Sequence, residues 1–61
     1  MIISNMRVQH MIAFLRMAAL EMRRIAKGAE PPLAAQLQHM AQQCDQEANE
    51  IAAIEDGLKA A

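Results

Sequence analysis

The stretch "KGAEPP", residues 27–32, is the one clear break in an otherwise helix-forming chain. Gly28 suits the left-handed residue that ends a helix, and Pro31 or Pro32 suits the first turn of the next. The tandem prolines also push Glu30 out of helical geometry, because the ring clashes with an α conformation in the preceding residue. Working outward, Ser4 or Asn5 is a candidate N-cap and Gly57 a candidate stop. The expectation is therefore a single unit over 1–61: helix 1 at 5–27, a turn at 28–31 and helix 2 at 32–56. Similar helix lengths and a short connection predict an all-α, antiparallel two-helix hairpin. No strand-like alternation occurs.

Composition agrees with this fold and limits how it can be stabilised. The chain of 61 residues is 54% hydrophobic yet has one aromatic residue, Phe14, with alanine, methionine, leucine, glutamine and glutamate dominating. Those are good helix formers. A chain this short buries only about 60% of its unfolded surface, so an isolated core is marginal. Disulfides, metals or oligomerisation usually make up the difference. Cys44 has no partner cysteine in the chain, and His10, His39 and Cys44 match no zinc-binding spacing. Oligomerisation remains.

Helix 1 gives that conclusion a physical basis. One stripe runs Val8, Met11, Ile12, Leu15, Ala18, Ala19, Met22, Ile25 and Ala26, a heptad-like seam with small residues that permit close packing. At about 100° per residue, a second apolar patch gathers Met6, Ala13, Phe14, Met17 and Leu20 on the other side. Helix 2 carries a single stripe of Leu33, Leu37, Met40, Cys44, Ile51, Ile54 and Leu58, widened by Ala41 and Ala48. Ala48 rather than Glu47 is expected on the seam. Gln38, Gln42, Asp45, Gln46 and Asn49 then face solvent. Helix 2 can cover one face of helix 1 but not both. A second copy of the hairpin is the simplest cover, giving a two-fold four-helix bundle with helix 1 central. The expected homodimer or partner interface is Met6, Ala13, Phe14, Met17 and Leu20.

Charge is divided between the halves. Arg7, Arg16, Arg23, Arg24 and Lys27 against Glu21 give residues 1–29 a balance of +4. Residues 30–61 carry Glu30, Asp45, Glu47, Glu50, Glu55 and Asp56 against Lys59, a balance of −5. Opposite halves attract within a chain or across a dimer. The basic strip Arg16, Arg23 and Lys27 admits two roles. It can pair with the acidic second helix, or it can contact phosphates of RNA or DNA. Nucleic-acid binders usually show a more basic balance, which favours the first role.

Other function classes find little support. The run "MIAFLRMAAL" at 11–20 is split by Arg16 and followed by "EMRR", unlike a signal peptide. A membrane span needs about 20 apolar residues, twice what this run supplies. No phosphate-binding loop, nucleophile–base pair or Glu-x-x-His motif is present, so neither enzyme activity nor a cofactor is expected. His10 and His39 fall on the polar flanks of their helices, where solvated or ion-paired roles are ordinary. Cys44 reads as a small core residue, and its unpaired state suits the cytoplasm. The methionines at 6, 11, 17 and 22 are core filler or an adaptable binding surface.

Two resemblances bear on the reading. "MIAFLR" at 11–16, with the size and central turn, resembles the first helix of Rop-like dimeric helical hairpins, which are RNA-binding regulators. That resemblance implies a four-helix dimer with Phe14 on an RNA-contacting face. The segment "LRMAALEMRRIAKGAEPPLAAQLQHMAQQCDQEANEIA" is similar to small uncharacterised bacterial helical hairpins with a proline-marked turn. It implies the fold and no activity. The expected function is thus non-enzymatic self-association and protein–protein contact, as regulator, adaptor or inhibitor. The alternative is a small RNA- or DNA-binding regulator.

Overall fold

The structure, a computed structural model, describes the backbone of residues 2–60 and the side chains of residues 6–58. It contains two helices, α1 (Ile2–Lys27) and α2 (Pro31–Ala60), packed along each other as a hairpin. At 1.5 Å per residue the 30 residues of α2 should span about 45 Å, and the Cα envelope measures 46 × 17 × 9 Å. The hairpin is a slab one helix thick. Such a layer has two broad faces and two edges, and nothing within it can enclose a core.

The turn forms where glycine and proline place it, with a different end geometry for α1. Gly28 does not adopt a positive φ, so the expected left-handed cap is absent. The helix instead tightens: the Gly28 N–H donates to the Ile25 carbonyl at 3.1 Å and the Ala29 N–H to that of Ala26 at 3.2 Å. These i→i−3 bonds occupy carbonyls that the helix end would leave open. Glu30 lies outside both helices, and its carbonyl accepts the first bond of α2 from the Ala34 N–H at 2.8 Å. Pro31 is therefore the first helical residue, where a missing N–H costs nothing. The turn is 28–30, one residue shorter than expected.

The outer ends differ more. The α1 backbone is helical from Ile2, so Ser4 and Asn5 lie inside the helix rather than capping it at the backbone level. Their side chains lie outside those described. Both residues cost only a few tenths of a kcal/mol in a helix interior. Gly57 likewise does not stop α2, which continues to Ala60. A Cβ built on Gly57 would meet nothing within 4 Å. Gly57→Ala should therefore stabilise the hairpin by about 0.5–1 kcal/mol through lost unfolded-state freedom. A thermal melt followed by circular dichroism should show a Tm higher by a few degrees. A fall in Tm would mean that the end of α2 is not helical in solution.

What holds the helices together is a seam of small residues seven apart. On α1, Ile12, Ala19 and Ala26 are buried; on α2, Ala41, Ala48 and Glu55 are. Ala19, Ala41 and Ala48 are 0% exposed. Half-buried Val8, Leu15 and Met22 alternate with the first set, and Leu37, Cys44 and Ile51 with the second, so both helices show 3–4 heptad spacing. Alanine at the closest points lets the backbones approach, which larger side chains would prevent. Ala48 takes the seam and Glu47 stays exposed, as expected.

The seam is narrower than the sequence stripes. Met11 and Ile25 of α1 are exposed, as are Leu33, Met40, Ile54 and Leu58 of α2. All six were expected against the other helix. Once alanines set the approach, the seam admits only about two positions per heptad on each side. The larger residues at 11, 25, 33, 40 and 54, each one place before a position on the buried seven-residue lines or their continuation, are displaced onto a flank. Leu58 is exposed towards the far end of α2.

Candidate functional site

The two flanks of the seam have opposite chemistry. One gathers polar side chains from both helices. The Arg23 guanidinium meets the Asp45 carboxylate at 2.7 Å, with both side chains more than a third exposed. Arg16 Nη2 lies 3.4 Å from Asn49 Oδ1, a long hydrogen bond. Gln9 Nε2 donates to Oε1 of Glu55, the one charged side chain among the buried residues described. Of the basic strip, Arg16 and Arg23 thus face partners on α2, while Lys27 is exposed beside the turn. An exposed pair such as Arg23–Asp45 contributes about 0.2–1 kcal/mol, enough to set alignment and little else. The Glu55 carboxylate was not expected in the seam. Its spacing of seven from Ala48, continuing Ala41 to Ala48, was the available signal.

The other flank and the outer side of α1 carry exposed apolar side chains, interspersed with Arg7, His10, Glu21 and Arg24 on α1 and Glu47 on α2. Met11, Ile25, Leu33, Met40 and Ile54 stand exposed along the flank. On α1, Phe14 is 70% exposed, Met17 68% and Leu20 66%, and Met6 and Ala13 are exposed as well. All five residues expected at an interface therefore lie outside the hairpin's own seam. Sequence reasoning missed the contribution of α2 to this surface, since it assigned Leu33, Met40 and Ile54 to the seam. Singly exposed hydrophobes are normal on soluble proteins, so it is the number gathered on this side that sets the hairpin apart.

Chemistry beyond contact has few carriers. Among the described residues no group of three or more His, Cys, Asp or Glu side chains could hold a metal ion. His10 and His39 are exposed, and Cys44 is half-buried in the seam. A shallow depression on α2, lined by Gln43, Gln46, Glu47 and Glu50, is polar and open. Among the described residues, no helix is long and apolar enough to cross a membrane. No protein-family model, curated protein or solved structure matches this chain.

Proposed function

We propose that this chain is a non-enzymatic helical hairpin that self-associates as a homodimer and works in the cytoplasm through protein–protein contact. The observation that carries this reading is the exposure of Phe14, Met17 and Leu20 together on α1. Burying such side chains is worth about 1.5–3 kcal/mol each, comparable in sum to a small domain's net stability. A slab one helix thick gains from covering that band. The alternative, phosphate binding by Arg16, Arg23 and Lys27, is weakened because Arg16 and Arg23 face Asn49 and Asp45.

Sedimentation equilibrium across a wide concentration range tests the proposal: a dimer mass is expected, and a folded monomer throughout would overturn it. Gel retardation separates the alternative. RNA and DNA should run unshifted at low salt. A shift that fades with added salt and disappears in an Arg16, Arg23 and Lys27 triple-alanine variant would establish nucleic-acid binding instead.

A further inference from the structure

From the order of residues around Phe14 we infer that the partner on α1 is a second copy of this chain, with its α1 antiparallel and the two-fold axis passing at Phe14. This rests on the self-association proposed above and adds its register. Positions equidistant from Phe14 match at two of three pairs, methionine with methionine and arginine with glutamate. Arg7 and Glu21 lie seven residues to either side, Met11 and Met17 three, and His10 and Ala18 four. Residues three, four and seven apart are neighbours on one helical face, so these six surround Phe14. Arg7, Met11, Phe14, Met17 and Glu21 are all exposed.

In an isologous contact, whatever residue i touches as j is repeated with j touching i. When antiparallel α1 helices cross at Phe14, each residue meets the one equally far on the other side. Phe14 then faces its own copy, Met11 faces Met17, and the Arg7 guanidinium faces the Glu21 carboxylate twice over. Among the described residues Glu21 pairs with Arg24 at 3.9 Å, an exposed and weak contact. A parallel arrangement would set Arg7 on Arg7 and Glu21 on Glu21. The charge pattern selects the antiparallel one.

Charge reversal and its rescue test this register at about 0.1 M salt, where the screening length is about 10 Å. Arg7→Glu and Glu21→Arg should each raise the dimer Kd about tenfold, since each puts two like-charged pairs across the interface. The double variant should return the Kd to within about twofold of the starting protein. Rescue cannot arise within one helix, where 14 residues separate the groups by about 21 Å, beyond the screening length. Both positions are exposed, and circular dichroism should show unchanged helix content. A dimer that ignores the single reversals, or whose double variant is not rescued, overturns the register and leaves self-association standing. A wild-type monomer overturns both.

Discussion

Ala19→Leu is expected to destabilise the hairpin by about 1–3 kcal/mol, because leucine has no room where the helices approach most closely. Ala19 is 0% exposed, and its counterparts on α2, Ala41 and Ala48, are closed to the same degree. Extra methylene groups must either leave their preferred rotamers or push the helices apart. Separation is the costlier response, since it loosens Ile12 and Ala26 on the same line. A chain of 61 residues has about 3–9 kcal/mol of stability by the usual per-residue range, so this loss is a large share. A urea titration followed at the helical circular dichroism band should show a clearly lower midpoint. Ala35→Leu, on the exposed side of α2, changes the same atoms without the packing and should stay within about 0.5 kcal/mol. Equal midpoints for the two variants would show that the alanine seam is not the contact that matters.

The same seam explains which parts of the fold were legible in the sequence. The turn was, because Gly28 and the proline pair act on the backbone locally and need no knowledge of packing. Val8, Ile12, Leu15, Ala19, Met22 and Ala26 were recognisable as part of the inner face of α1, but Met11 and Ile25 share the seven-residue spacing and were placed there with them although they are exposed. On α2, the apolar stripe ran through Leu33, Met40 and Ile54 with Ala41 and Ala48 only widening it, whereas full burial falls on Ala41 and Ala48. Hydrophobicity measures what gains from leaving water; it does not measure how near two backbones come. Glu55 was hidden for a related reason. A carboxylate is not expected in an apolar line, yet here it closes the seam with a hydrogen bond from Gln9. The exposure of Met6, Ala13, Phe14, Met17 and Leu20 was legible too, because apolar residues surplus to one seam must lie outside it.

Phe14→Glu is expected to abolish self-association, with the dimer Kd raised at least a hundredfold. Phe14 is 70% exposed in the single hairpin, so the substitution removes nothing from the hairpin's own packing. In the proposed dimer it removes two phenyl rings from the two-fold axis, each worth about 1.5–3 kcal/mol, and places two carboxylates face to face without a counter-charge. At about 1.4 kcal/mol per tenfold, the lower end of that sum already exceeds a hundredfold. Leu20→Glu should weaken the dimer less, because Leu20 lies six residues from Phe14 and off its axis. Phe14→Leu should retain most of the affinity, since it remains apolar. Sedimentation equilibrium reads these changes directly, and circular dichroism at matched concentrations reads a second consequence. If folding draws stability from association, the helical signal of Phe14→Glu should fall and its Tm should no longer rise with protein concentration, as the wild-type Tm should. Gln43→Glu, an exposed change on α2, supplies the comparison for added negative charge and should leave both measurements unmoved. A Phe14→Glu protein that sediments as the wild type does would place the self-association surface elsewhere and remove the reason for reading α1 as its centre.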